Sequence, residues 1–250
     1  MAVSIKSARE IELMREAGKR LAHVHQELEA MIAPGISTWE IDAKGEKLIR
    51  DCGCIPNFLH YNGYPASICV SVNDEVVHGI PRKDRYLKEG DIVSLDAGLI
   101  YKGYHSDAAR THAVGKVSTE AQKLMDVTKQ SFFEGIKMAK EGQHLHDISR
   151  AIEEYVTPYG YGIVRDLVGH GIGTALHEDP QIPNYAQKRR GVRLQAGITL
   201  AIEPMINAGT WQVRFLRDGW TVVTKDGSLS AHYENTILVT DGEPEILTLY

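Results

Sequence analysis

Four acidic residues lie inside stretches that read as β-strands, where an unpaired charge is out of place. Asp96 sits in Val93-Ser94-Leu95-Asp96-Ala97-Gly98, and Asp107 follows across a tight turn at Tyr101-Lys102-Gly103. A chain reversal near residues 101–102 places the two acids almost opposite on one face, with Cβ atoms roughly 5 Å apart. Like charges at that range repel. Glu203 repeats the pattern in Thr199-Leu200-Ala201-Ile202-Glu203-Pro204-Met205, and Glu234 in His232-Tyr233-Glu234-Asn235-Thr236-Ile237. One strand acid is readily matched by a Lys or Arg on the same face. Four of them, buried without partners, would be prohibitive.

A pair of divalent cations removes that difficulty, because two dications bring four carboxylates near neutrality. Bridging carboxylates hold such ions roughly 3.5–4 Å apart, the spacing of two-metal hydrolases, which activate a water at neutral pH. An imidazole ligand is also expected. His170, in Val168-Gly169-His170-Gly171-Ile172-Gly173, stands at a strand end among glycines that permit close backbone approach. Four carboxylates and one imidazole suit Mn, Fe(II) or Co(II) ahead of Zn. Two further histidines, His78 before Gly79-Ile80-Pro81 and His177 in Leu176-His177-Glu178-Asp179-Pro180, lie among turn-formers. Catalytic groups concentrate in such loops, although a lone histidine there is more often a surface group.

The elements that must position these residues fall into two series. Ser7-Ala8-Arg9-Glu10 has the spacing of a helix capping box, and Ile11, Met14, Ala17, Leu21, Val24 and Leu28 follow at helical spacing. Pro34-Gly35 ends that helix. Ser37 to Glu40 repeats the box and opens a second helix ending near Gly53. The period then changes to two, with strands expected around 68–72, 91–100 and 104–114. The second series predicts a helix from Ser118 to Lys140, another from Leu145 to Pro158, and strands at 163–168, 198–206, 220–225 and 232–239. Gly35, Ile41 and Gly53 recur as Gly142, Ile148 and Gly160, each 107 residues on. Together with the repeated element order, this suggests two related halves, about 1–115 and 116–250, facing each other within one catalytic domain spanning 1–250. Ligands often bind at such an interface.

Composition sets outer bounds. The 250 residues carry a net charge of −5, with 43% hydrophobic and 24% charged residues, as expected of a globular protein. No basic run exceeds the short Lys188-Arg189-Arg190, so nucleic acid is not an expected partner. Cys52, Cys54 and Cys69 form no disulfide framework and read as reduced thiols of a cytoplasmic protein. No apolar run approaches the ~20 residues of a membrane span, and the charged N-terminal segment lacks a signal-peptide core.

Taken together, these segments resemble bacterial type I methionine aminopeptidase, from the first helix to the last strand. The resemblance is carried by Asn62-Gly63-Tyr64-Pro65, Ser71-Val72-Asn73 through His78-Gly79-Ile80-Pro81, Gly90-Asp91-Ile92-Val93 through Asp96, Gly103-Tyr104-His105-Ser106-Asp107, Gly169-His170-Gly171-Ile172-Gly173 with Leu176-His177-Glu178, and Ala201-Ile202-Glu203-Pro204. It implies an α/β pita-bread fold with a pseudo-two-fold, its helix-helix-strand halves around a central antiparallel sheet. It implies that Asp96, Asp107, His170, Glu203 and Glu234 hold two divalent ions, with Asp107 and Glu234 bridging. Glu203 would also carry the proton, and His78 and His177 would contact substrate. Phe58, Tyr61, Tyr64, Cys69 and Trp220, with Leu176 nearby, would form the methionine pocket, although core packing explains each as readily.

The implied activity is removal of the first methionine from nascent, deformylated proteins whose second residue is Gly, Ala, Ser, Cys, Thr, Pro or Val. Transient ribosome contact and a monomeric state go with it. A prolidase-like Xaa-Pro hydrolase of the same fold and a metal-free binding scaffold are the rivals. The first usually carries an added domain, and the second typically lacks metal ligands. Two departures stand out. Asn235 follows Glu234 where the family usually has His, which puts one outer hydrogen bond of the metal site in doubt. Asn62 and Phe58 stand where some members carry His and Cys, which affects pocket detail alone.

Overall fold

Ser7 and Ser37 both open helices by capping boxes. In each, the serine Oγ accepts from the backbone N–H of the glutamate three residues on, and that glutamate accepts from the serine N–H. The computed structural model describes residues 3–249. Helix α1 (Ala8–Glu29) buries Met14, Ala17, Leu21, Val24, His25 and Leu28 along one face, as the spacing predicts. Helix α2 (Thr38–Asp51) packs beside it. The second series supplies α3 (Thr119–Ile136) and α4 (Leu145–Val156). Helix α3 ends four residues before the expected Lys140. Residues 137–140 leave the helix through three-residue turns, and Lys140 and Glu141 instead meet the backbone of Thr240.

The helices cover an antiparallel sheet. Its strands run in the order Ile55–Pro56, Ile92–Tyr101, Tyr104–Ala113, Glu234–Leu238, Thr199–Ile202, Gly169–Gly171 and Glu178–Ile182. Ile68–Val72 adds on Ile92–Tyr101, and Glu245–Ile246 on Glu234–Leu238. Two long expected strands are divided. The 198–206 run breaks at Glu203-Pro204, since proline offers no N–H to a ladder. Beyond it Met205–Asn207 joins a smaller sheet with Ser230–His232 and Gly162–Ile163. The 232–239 run breaks at Tyr233, whose N–H donates to Pro204 O. Of the expected 163–168 strand only Gly162–Ile163 forms, and of 220–225 only Val222–Thr224.

The 107-residue shift recurs in backbone geometry. Gly35 and Gly142 share a left-handed φ of 93° and 87°, Gly53 and Gly160 one of 70° and 74°, and Ile41 and Ile148 are both fully buried. Gly35 N–H donates to Leu87 O and Leu87 N–H to Ile36 O. In the second series Gly142 N–H donates to Leu194 O and Leu194 N–H to Gln143 O. Every partner is displaced by 107 residues. Separate apolar cores lie under the two helix pairs, one with Leu21, Ile41 and Leu95, the other with Phe132, Ile148 and Leu200. The sheet between them is where charged side chains collect.

Candidate metal centre

Asp96 and Asp107 share one hairpin but are not directly opposite. The chain reverses over Lys102-Gly103, with Tyr101 paired to Tyr104, so Asp96 faces Ala109 and Asp107 faces Gly98. Lys102 and Gly103 both have positive φ, the geometry of a two-residue hairpin turn. That turn lies one residue later than the 101–102 reversal expected, which makes the acids diagonal neighbours on one face, a spacing of roughly 7 Å between their positions. Their carboxyls still lie close enough for each to bear on the other's ionisation. Glu234 pairs with Ala109 on the neighbouring strand, and Glu203 follows the strand beside that. Asp96, Asp107 and Glu234 are 8%, 4% and 2% exposed, and the Glu203 side chain 14%.

Burial pushes every one of these carboxyls up. Asp96 rises to about 7. Asp107, raised first by burial and then by Asp96 and Glu203, stands well above the carboxylate range. Glu203 is raised by burial and by Asp96, and Glu234 by burial, Asp107, Glu203 and Asp96. Asp96 Oδ1, Asp107 Oδ1 and Glu234 Oε1 are buried with no hydrogen-bond partner. Arg110 opposes the rise at Glu234, and the side chains that approach the acids within 4.0 Å are His170 and His232. This donor set fits divalent cations and little else.

His170 completes the cluster. Its Nδ1–H donates to Gly171 O at 2.9 Å, which leaves the Nε2 lone pair facing the acids. Nε2 lies 3.9 Å from Asp107 Oδ2 and 3.6 Å from Glu203 Oε1. Those separations are beyond hydrogen bonding and within the roughly 3–4 Å that two donors keep around one cation. Ligand atoms of Asp107, His170 and Glu234 lie within 4.8 Å of one another. Burial, with His177 adding to it, holds the His170 imidazole down at about 3, so it stays neutral. Gly171 is required by its neighbours, for a Cβ there would sit 2.3 Å from Asp179 O.

A cavity of about 230 Å³ opens over the acids. Phe58, Tyr61, Asn62, Tyr64, Cys69, His78, Leu176, His177 and Trp220 line it together with Asp96, Asp107, His170, Glu203 and Glu234. Cys69 is paired across the sheet with Asp96 and stays a protonated thiol, its ionisation opposed first by burial. Tyr64 meets Trp220 edge to face at 5.1 Å, and Asp218 fixes the Trp220 loop by accepting from the N–H groups of Trp220 and Thr221. His177 Nδ1 lies 2.7 Å from the Tyr61 hydroxyl. The following residue, Glu178, pairs with Lys6 at 2.6 Å and accepts from Thr174 N–H. His78 has a left-handed φ of 59°, uncommon outside glycine, and burial holds it at about 4.

A sequence profile of metallopeptidase family M24 matches residues 12–241. Methionine aminopeptidase of Clostridium acetobutylicum is 53% identical over 247 residues, covering 99% of each chain. The chain belongs to metallopeptidase family M24, among its methionine aminopeptidases. Methionine aminopeptidase 1 of Bacillus subtilis is 51% identical over 97% of this chain and 98% of that one. The crystal structure of methionine aminopeptidase from Thermotoga maritima superposes with a TM-score of 0.97 at 46% identity, covering all of both chains. The fold is therefore the pita-bread fold of this family, and the activity is that of a metallo-aminopeptidase. Family membership agrees with a metal-dependent hydrolase, and no described helix is long and apolar enough to cross a membrane.

The five ligand candidates, His78, His177, and the pocket residues Phe58, Tyr61, Tyr64, Cys69, Leu176 and Trp220 all line this one cavity. Asn235 points elsewhere. Its Oδ1 accepts from Arg110 and Thr248 in a polar network behind the acids. One buried side chain beside the acids was missed, His232, two residues before Glu234. The chain breaks at Tyr233 between the two, so strand alternation does not place them on one face, and no sequence signal marks His232.

Proposed function

We propose that the protein removes the initiator methionine from nascent, deformylated chains whose second residue is small and uncharged (Gly, Ala, Ser, Cys, Thr, Pro or Val). The observation that carries this reading is the cluster of four buried carboxyls, three with an oxygen that no hydrogen bond satisfies, at the floor of an apolar, aromatic cleft. Asp96, Asp107, His170, Glu203 and Glu234 would hold two divalent ions. Bound there, the ions supply Lewis acidity and a water of lowered pKa. Co, Mn, Fe(II) and Zn all match the donor types.

The chain's own residues do the rest. Phe58, Tyr61, Tyr64, Cys69 and Trp220 offer the methionine side chain a mostly apolar wall. With the Tyr61 hydroxyl donating to Nδ1, His177 carries its proton on Nε2, free to donate to the scissile carbonyl oxygen. His78, neutral and fixed by its backbone, contacts the peptide beyond the first residue. Glu203 takes a proton from the attacking water and passes it to the leaving nitrogen, a role suited to a carboxyl whose affinity for protons is raised by burial. A formyl cap would remove the free α-amine that the metal centre would otherwise bind. Residues 1–250 act as one catalytic unit with halves of about 1–115 and 116–250, monomeric and cytoplasmic, meeting substrate in passing at the ribosome.

The test is hydrolysis of Met-Ala-Ser by chelator-stripped protein, with and without added Co(II), Mn(II) or Fe(II). Cleavage should require metal, fail on formyl-Met-Ala-Ser and fail on Ala-Pro. Metal-independent cleavage, or a preference for Ala-Pro, overturns the reading.

A further inference from the structure

His232 is 2% exposed, and neither ring nitrogen has a hydrogen-bond partner. An imidazole buried in that state is destabilising unless something else satisfies it. Its backbone is held on two sides. Thr111 Oγ1 accepts from the His232 N–H and donates to its carbonyl, and the residue pairs with Met205 across the small sheet. The ring thus sits where the backbone puts it. Nε2 lies 3.8 Å from Glu234 Oε2 and 4.0 Å from Glu203 Oε2. Both are too long for hydrogen bonds and match the spacing that His170 Nε2 keeps to Asp107 and Glu203. The two imidazoles therefore flank Glu203, one beside each carboxylate oxygen.

The internal repeat gives the same answer independently. Val114 N–H donates to Asp91 O, and Val239 N–H donates to Ile198 O, so these strands correspond. Counting inward, Asp96 in one half matches Glu203 in the other. The Gly98–Asp107 pair then matches the Met205–His232 pair, which the structure forms in the same register. His232 holds, in the second half, the place of Asp107 in the first. Glu234 occupies the counterpart of Ala109, a position that is apolar in the first half. An additional donor at the repeat-related position is what a cation centre between two related halves would carry.

We propose that His232 is a sixth protein donor to the metal centre, binding through Nε2 beside Glu203 and Glu234. The proposal rests on the two-metal reading above. It makes the centre richer in nitrogen than four carboxylates and one imidazole, which shifts its preference toward Co(II), Fe(II) and Zn over Mn(II).

Proton NMR of the Co(II)-loaded full chain decides it without any activity assay. Each coordinated imidazole gives one strongly shifted N–H resonance that disappears on prolonged exchange into D₂O. The wild type should show two. His170→Gln and His232→Gln should each lose a different one, and His232→Gln should bind Co(II) at least about tenfold more weakly by calorimetry. The wild-type count stands even if a variant folds poorly, and His232→Asn provides a second replacement. A single resonance in the wild type, or two that persist in His232→Gln with unchanged affinity, overturns the sixth donor alone. Failure of the wild type to bind Co(II) overturns the two-metal reading and this proposal together.

Discussion

His78 and His177 sit at the cleft wall, and both are kept neutral chiefly by burial. Neutral imidazoles neither compete with a dication for the carboxylates nor repel it, and each can still donate one hydrogen bond. Their removal should therefore affect turnover and not metal content. His78→Ala and His177→Ala are each expected to lower kcat by about 10²-fold or more, with the metal-to-protein ratio by elemental analysis unchanged. Retained turnover in both variants would remove them from the mechanism, and lost metal would make them ligands. Asp96, Asp107, Glu203 and Glu234 were legible in sequence because each is a charge inside an apolar strand, and burial makes that pattern intolerable without a counter-charge. His232 was not, because a histidine within a strand carries no such contradiction. It becomes conspicuous only when neither nitrogen is found to have a partner.

Helix starts were the most legible elements, since Ser7/Glu10 and Ser37/Glu40 bring their caps with them in the chain. Strand ends were the least legible. The break at Glu203-Pro204 was written in the proline, whereas the break at Tyr233 depends on which neighbour each segment reaches, and a period-two run does not record that. The same dependence explains the one-residue error in the hairpin, where Lys102-Gly103 rather than residues 101–102 makes the turn. Gly171 shows how tightly the elements are fitted around the centre. It follows His170 where two strands meet with a register irregularity, and its missing Cβ is the room occupied by Asp179 O. A backbone atom cannot swing aside as a flexible side chain would. Gly171→Ala should cost about 1–3 kcal/mol in urea unfolding and should also weaken Co(II) binding, because the displaced strand carries His170. Unchanged stability and affinity would show that the strand yields freely, and the close approach would then have no bearing on the site.

At the scale of the whole molecule, each half brings its own core and helix pair, and the acids lie on the sheet between them. The tie between helix and site is chemical as well as apolar. His25 on α1 is fully buried, and its Nε2–H donates to Ala108 O at 2.8 Å, next to Asp107. Burial drives this imidazole well below its ordinary value, with Arg110 and His112 adding to the effect. The sign of the consequence follows from proton counting. Below about pH 6.5 the unfolded chain protonates His25 and the folded chain does not, so the unfolded state binds more protons and stability falls on acidification. Above that pH both states are neutral there and the contribution is flat. His25→Gln keeps a donor for Ala108 O but cannot titrate. Going from pH 7 to pH 5, the wild type should therefore lose about 2 kcal/mol more than the variant, measured by urea unfolding at each pH. Parallel losses in the two proteins would mean that His25 takes up its proton while still folded. The tie between α1 and the metal-bearing hairpin would then be looser than its hydrogen bond indicates.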